Sequence, residues 1–146
     1  AINRFAVPIL FFSANKAYNL KGVRTDLASQ MDIYPSLVDL VGYHKPFRSW
    51  GRSLISNLPT ETPRVINSTG NIYQFMQGNY FYLFDGKKIT GIFAADDKGL
   101  EKNLMTGNPN AEMEKGMQDC KAFVQDYADR IVNKKLNPIQ STVAAH

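Results

Sequence analysis

Four short segments rich in β-branched and aromatic residues, at 65–69, 72–77, 80–84 and 88–94, constrain this chain more than any other feature. The dipeptides Gly78-Asn79 and Asp85-Gly86 separate the last three segments, and both dipeptides favour tight hairpin turns. Strands that are joined by such turns run antiparallel. The sequence therefore predicts a four-stranded antiparallel meander.

A long amphipathic helix is predicted after the meander. Asn108 and Pro109 suit a cap and a first helical position. Apolar residues then recur at steps of four and three: Met113, Met117, Cys120, Val124, Tyr127 and Ile131. Residues at this spacing share one helix face, so we expect that face to be buried. Cys120 is the only cysteine, and its place in the pattern predicts a small buried hydrophobic residue.

The first sixty residues have a different pattern. Residues 4–12 are apolar on both faces, which is typical of a strand that helices cover on each side. Pro8 cannot donate a ladder hydrogen bond, so the strand is expected at a sheet edge or with a bulge. A helix is predicted from Asp32, as its cap, to Gly42. Its expected apolar face consists of Ile33, Leu37, Leu40 and Val41.

Three sequence elements in this region carry a resemblance. They are Val7-Pro8-Ile9-Leu10, then Ser29-Gln30-Met31-Asp32-Ile33-Tyr34-Pro35-Ser36-Leu37-Val38 with Gly42, then Gly51-Arg52-Ser53-Leu54. In order and spacing the chain resembles the sulfatase family of the alkaline-phosphatase superfamily. It is most similar to the branch of lipoteichoic-acid synthases and phosphoglycerol transferases. Ser36 stands where that family usually has threonine.

The resemblance implies an enzyme whose chemistry lies elsewhere. Such enzymes use a threonine, serine or formylglycine nucleophile, acidic metal ligands and an Asp-His pair, all of which precede the Val-Pro strand. This chain has no Asp-His or Glu-His dipeptide, and its two histidines are His44 and His146. We therefore expect no catalytic residue and no metal ligand here, and substrate-binding residues stay unassigned. The parent enzyme is expected to use a divalent metal: Mn, Ca, Mg or Zn.

The fold class that follows is an α/β fragment that is α+β in isolation. Residues 1–60 would form the C-terminal part of a sulfatase-like α/β core, 61–136 a small subdomain of antiparallel sheet and helix, and 137–146 a frayed tail. The abrupt start at Ala1 suggests a piece of a longer protein. Its expected partner is the N-terminal remainder of the same enzyme, outside the cytoplasm and anchored to the membrane. Alone, the chain is expected to expose an apolar patch and to self-associate.

Other possible sites have plainer explanations. Asp96-Asp97 is better explained as a turn than as a metal site, because calcium needs more oxygen ligands. His44, beside Lys45, is expected to be merely exposed. Arg24, Arg48 and Arg52 could contact an anion, but the sequence gives them no shared geometry. The net charge of +4 is scattered along the chain, which does not favour nucleic-acid binding.

One alternative of another class stays open. Four aromatic residues of the predicted sheet could stack on sugars if their face were exposed: Tyr73, Tyr80, Tyr82 and Phe84. The chain would then be a free-standing carbohydrate- or protein-binding module. The long helix favours the opposite interpretation, in which these rings form the core. The residues that precede Ala1 in the reading frame would separate the two hypotheses.

Overall fold

The computed structural model describes residues 7–18, 20–55 and 62–137. It contains the helices α1 (Ile33–Leu40) and α2 (Ala111–Val132), and the strands β1 (Arg64–Thr69), β2 (Ile72–Gln77), β3 (Tyr80–Phe84) and β4 (Ile89–Ala94). Short 3-10 turns span Lys16–Tyr18, Gln30–Asp32 and Leu104–Thr106. The architecture is an α+β fold, as predicted.

The antiparallel meander is confirmed. The strands pair in the order β1-β2-β3-β4, each antiparallel to the next. Gly78 has a φ of 57°, a left-handed conformation that suits the two-residue turn between β2 and β3. The second turn is longer than predicted, because β4 begins at Ile89. The Asp85 carboxylate accepts the N–H groups of Lys87 and Lys88 at 2.8 and 2.7 Å, which stabilises the longer loop.

One face of the sheet packs against α2. Phe75, Tyr82 and Ile92 from three strands have no exposed surface, and neither has Cys120 from α2. Gly116 allows the close approach, since a Cβ atom there would collide with the Tyr82 ring. The predicted burial of Cys120 and of the aromatic face is therefore confirmed.

The start of α2 differs from the prediction. Asn110, and not Asn108, caps the helix: its side chain accepts the Met113 N–H at 2.8 Å. The Asn110 amide also donates to the Tyr80 hydroxyl at 2.8 Å, so a contact with the sheet accompanies the cap. The last turns also depart from the pattern, because Tyr127 and Ile131 are exposed.

Helix α1 ends as predicted but exposes much of its apolar face. Gly42 has a φ of 65° and donates to the Asp39 carbonyl, while Tyr43 donates to the Val38 carbonyl, which is a Schellman ending. Leu37 and Val41 are 46% and 70% exposed, so the prediction that they would be buried is wrong.

The predicted first strand is also wrong over residues 7–12. These residues belong to no strand, and Leu10 and Phe12 are 88% and 85% exposed. Phe5 and Ala6 lie outside the described residues, and so does the predicted tail at 137–146 except for its first residue. The chain was expected to expose either this segment or part of the sheet, and Val7, Leu10 and Phe12 are exposed.

Among the residues that the structure describes, no helix is long and apolar enough to cross a bilayer.

Candidate functional site

Asp32 connects two of the three sequence elements that carry the resemblance. Its carboxylate accepts the Ser29 N–H at 2.8 Å with one oxygen and the Arg52 N–H at 2.8 Å with the other. Ser29, whose hydroxyl accepts the Met31 N–H, is the cap, and Asp32 completes a capping box. The prediction that Asp32 itself caps the helix is therefore wrong. It stabilises the cap from the third position.

Ser36 and Gly51 complete the same connection. The Ser36 hydroxyl is fully buried, donates to the Asp32 carbonyl at 2.5 Å and accepts the Leu54 N–H at 2.8 Å. Gly51 lies against the Met31 backbone, and a Cβ atom there would collide with the Met31 carbonyl. We call this unit the motif junction: Ser29, Asp32, Ser36, and residues 51–54. Its Asp32 and Ser36 side chains bond to backbone groups.

Two of the three candidate arginines meet beside the motif junction. Arg24 and Arg52 both contact the Asp26 carboxylate, at 2.8 and 2.6 Å. Hydrogen bonds from Arg24 and then Arg52 hold the pKa of Asp26 well below its usual range. Arg24 also donates to the Leu54 carbonyl, and Arg52 to the Leu27 carbonyl. Arg48 lies apart from them and donates to the Lys135 carbonyl at 2.7 Å.

This arginine pair offers little to an external anion. Asp26 offsets one of the two positive charges, and four of the six guanidinium nitrogens bond to protein oxygens. Arg52 Nε is a buried donor with no hydrogen-bond partner among the described residues. The ion pairs and hydrogen bonds of this cluster therefore hold residues 24–27 against residues 51–54.

Asp96-Asp97 lie in a turn and His44 is exposed, as predicted. The Asp97 carboxylate accepts the N–H groups of Lys102 and Glu101 at 2.9 and 3.1 Å, which lowers its pKa and fixes a turn. Within the described ranges, no group of three His, Cys, Asp or Glu side chains could hold a metal ion.

The aromatic set lies mostly in the core. Tyr82 and Phe84 are buried, and Tyr73 and Tyr80 are half-buried beside them. Desolvation raises the pKa of Tyr82 to about 12, and that of the Cys120 thiol to about 12 as well. Cys120 is therefore protonated and unreactive near neutral pH.

A cavity of about 210 Å³ lies where α2 passes the edge strand β1. We call it the Trp50 cavity, after the side chain that closes one side. Its main walls are Trp50, Arg64, Asp119, Phe123, Asp126 and Arg130. No local sequence pattern indicates this site, because its walls come from three separate segments. Trp50 Nε1 donates to Asp126 at 2.9 Å across 76 positions of sequence.

Two arginines and two aspartates line the Trp50 cavity, so its charges balance. Asp126 is paired with Arg130 at 2.8 Å, and Asp119 with Lys115 at 2.7 Å. Partial burial raises the pKa of Asp119, but hydrogen bonds from Lys115 and Gln77 outweigh it, so the pKa is lowered. Arg64 forms no ion pair within the described part of the chain, but its charge also helps to lower the pKa of Asp119. Its guanidinium lies over the Phe123 ring at 5.3 Å, as that of Arg130 lies over Trp50 at 5.2 Å.

Comparisons with known proteins do not assign this chain to a family. No family model, no curated protein and no solved structure matches it.

Proposed function

We propose that this chain is the C-terminal part of a sulfatase-like, metal-dependent enzyme: a sulfuric-ester hydrolase or a phosphoglycerol transferase. In this proposal the chain completes the fold of the enzyme and supplies neither the nucleophile nor the metal ligands. The parent enzyme would lie outside the cytoplasm and be anchored to the membrane through a preceding segment. The resemblance at 7–10, 29–42 and 51–54 suggests the family.

One structural observation carries the proposal that this chain completes a larger fold. Among the described residues, ten of the fifteen large hydrophobic side chains that are exposed lie between Val7 and Phe47. We call six of them the N-terminal apolar surface: Val7, Leu10, Phe12, Val23, Leu37 and Val41. An exposed apolar surface on a folded protein commonly marks an interface. The occupant that we propose is the rest of the catalytic domain.

The motif junction supports this role. Its hydrogen bonds join Asp32 and Ser36 to the backbone of residues 52–54, so they fix the position of α1 without a hydrophobic core of its own. A helix that is fixed on one side and apolar on the other is suited to pack against a further layer. In the parent enzyme, a metal-activated hydroxyl would attack phosphorus or sulfur, with all reacting groups upstream of Ala1.

The reading frame upstream of Ala1 gives the most direct test. We expect it to encode an Asp-His pair in a Gly-Asp-His or Ala-Asp-His context within a few tens of residues. The product of the complete frame should hydrolyse an aryl sulfate or an aryl phosphodiester in the presence of manganese. A frame without that pair, or a full-length product inactive on both esters, would contradict the enzyme proposal.

A matched pair of charge substitutions tests the interface in the full-length protein. Val41→Asp places a carboxylate on the N-terminal apolar surface, and Val132→Asp places one on the outer side of α2, where the valine is 76% exposed. Burial of an unpaired carboxylate costs at least about 2 kcal/mol. We therefore expect Val41→Asp to lower the melting temperature of the full-length protein and Val132→Asp to leave it unchanged. Equal melting temperatures would show that nothing covers α1.

The 146-residue chain by itself allows a further check. Without a cover, the N-terminal apolar surface should drive self-association, which sedimentation velocity measures as a concentration-dependent shift. Val41→Asp should reduce that shift, and Val132→Asp should not. If the chain is monomeric at all concentrations, the exposed side chains do not form an effective interface.

A further inference from the structure

The loop that follows α1 meets the end of α2 on one side of the molecule. Arg48 donates to the Lys135 carbonyl at 2.7 Å, although 87 positions of sequence separate the two residues. The neighbouring Phe47 ring lies edge-on to Tyr34 of α1, at 5.5 Å between ring centres. Residues 43–48 therefore connect α1 to the turn that follows α2. We call the side chains of this loop and turn the α2-end surface: Tyr43, Lys45, Phe47, Arg48, Lys134 and Leu136.

The α2-end surface has an excess of positive charge. Arg130 and Lys135 beside it are already matched, because each forms an ion pair with an aspartate of α2. Three cations of the surface form no ion pair within the described part of the chain: Lys45, Arg48 and Lys134. Residues 43–48 contain no acidic residue, and both aspartates of 126–136 belong to the two ion pairs. Three positive charges are therefore left unpaired, in a chain whose net charge is +4.

Apolar side chains are exposed among these charges. Tyr43, Phe47 and Leu136 are 48%, 37% and 50% exposed, and Ile131 and Val132 in the last turn of α2 are exposed as well. Cations beside exposed aromatic and aliphatic side chains suit the surface of a bilayer. Anionic headgroups attract the charge, and the apolar groups enter the boundary of the acyl chains.

We propose that the α2-end surface binds an anionic lipid bilayer. Lys45, Arg48 and Lys134 contact the headgroup phosphates, while Phe47 and Leu136 enter the acyl boundary. A protein partner fits less well, because lysine is depleted at protein–protein interfaces. A nucleic acid also fits less well, because it has no use for an exposed leucine beside the basic residues. This proposal does not depend on the proposed enzyme, although a membrane-anchored parent would hold the surface near lipid.

Vesicle flotation measures this binding directly. The 146-residue chain is mixed with vesicles of phosphatidylcholine alone, or of phosphatidylcholine and phosphatidylglycerol in equal parts. We expect at least about tenfold tighter binding to the anionic vesicles, because each lysine or arginine near an anionic surface contributes about fivefold. Added salt should weaken the binding, since it screens these charges. Equal binding to both kinds of vesicle would overturn the proposal.

Two double variants assign the charge effect to this surface. Lys45→Gln/Lys134→Gln should weaken binding to the anionic vesicles at least about tenfold. The matched control is Lys87→Gln/Lys88→Gln, which removes two exposed lysines from the loop between β3 and β4 and should bind like the parent chain. If both double variants lose the same affinity, the net charge of the chain drives the binding and the α2-end surface does not.

A second matched pair tests the apolar contact. Leu136→Asn should weaken binding about threefold or more, because a leucine no longer leaves water. Met105→Asn changes another exposed apolar side chain, in the turn before α2, and should bind like the parent chain. Unchanged binding by Leu136→Asn would show that apolar side chains do not enter the bilayer, and the proposal would fail.

Competition with a short DNA duplex tests the other basic-surface ligand. If the duplex displaces the anionic vesicles, and if Lys45→Gln/Lys134→Gln abolishes duplex binding, the surface binds nucleic acid and the lipid proposal is wrong. Circular dichroism establishes that each variant is folded. If the double variant does not fold, the salt dependence of the parent chain and the result for Leu136→Asn decide the outcome.

Discussion

Two regions of this molecule are stabilised by different forces. In residues 62–137 the buried side chains are apolar, and Phe75, Tyr82, Ile92 and Cys120 are fully buried between the sheet and α2. In residues 7–55 the fully or nearly fully buried side chains are mostly polar, and Ser29, Asp32 and Ser36 bond to the backbone while large hydrophobic residues face outward. One region therefore has a core of its own, and the other is held mainly by directional bonds.

The difference shows why hydrophobic content alone does not predict burial. Phe12 and Phe75 are the same residue type in apolar stretches, yet one is 85% exposed and the other has no exposed surface. Phe75 lies in a sheet whose face α2 covers, whereas the segment of Phe12 has no covering element within the described residues. A region that is ordered by polar bonds and apolar on its surface is suited to be completed by another part of a protein.

The largest expected effect comes from identical substitutions in the two regions. Phe75→Ala removes a fully buried ring that contacts Tyr82 and Phe123, and should lower the free energy of unfolding by about 3–5 kcal/mol. Phe12→Ala should change it by less than about 0.5 kcal/mol, because the ring is already in water. Urea unfolding measures both. A comparable loss for Phe12→Ala would mean that residues 7–12 are part of a core, and the contrast would not hold.

Two glycine substitutions test how tightly α2 packs against the sheet in residues 62–137. Gly116→Ala would place a methyl group against the buried Tyr82 ring, which cannot move without disturbing Phe75. Although alanine favours helix by about 1 kcal/mol, we expect a net destabilisation of about 1–3 kcal/mol from overpacking. Gly107→Ala is the control, since a Cβ atom there meets only the Leu104 carbonyl, at 3.8 Å. If Gly116→Ala stabilises the protein, α2 packs more loosely on β3 than the structure indicates.

The sequence predicted the sheet well because its turns are set by local chemistry. Gly78 adopts the left-handed backbone of its turn, and such a requirement acts within a few residues. The cap of α2 was predicted two residues too early, since Asn108 and Asn110 are equally good caps by themselves. Only Asn110 also reaches the Tyr80 hydroxyl, 30 positions away. Sequence patterns near the helix contain no information on that contact.

The candidate sites were harder to predict because their contacts also join residues that are far apart in the sequence. The resemblance identified Asp32, Ser36 and Gly51 as notable, but not that they form one hydrogen-bonded junction. The Trp50 cavity left no local pattern at all, because Trp50, Arg64 and Asp126 come together only through the tertiary fold. Whether the apolar residues at 7–12 are buried depends on what lies against them, and their own sequence is compatible with both outcomes.

Asp32→Asn probes the polar region. The amide is nearly the size of the carboxylate, but its NH₂ group would face either the Ser29 or the Arg52 N–H, so one buried hydrogen bond is lost. We expect a loss of about 1–3 kcal/mol. Asp39→Asn changes the same charge at an exposed position that accepts from the Ser53 hydroxyl, and should cost less than about 0.5 kcal/mol. Hydrogen exchange at Arg52 N–H should quicken in the first variant alone. If it does not, the motif junction does not order this region.

The smallest expected effect is a pH dependence that also belongs to the polar region. Arg24 and Arg52 lower the pKa of Asp26, so the folded state favours its charged form. Its stabilising contribution is present above the unfolded pKa of about 4 and is lost as pH falls from there through the lower folded pKa. Because the Asp26 and Arg24 side chains are 34% and 49% exposed, the contribution should stay below about 1 kcal/mol.

Asp26→Asn should therefore reduce the stability difference between pH 7 and pH 3. The control is Asp96→Asn, which removes an exposed carboxylate outside the cluster and should leave that difference unchanged. Thermal melts at the two pH values measure both variants. If the stability difference between pH 7 and pH 3 is the same in both, the ion pairs that join residues 24–27 to 51–54 do not contribute to stability in solution.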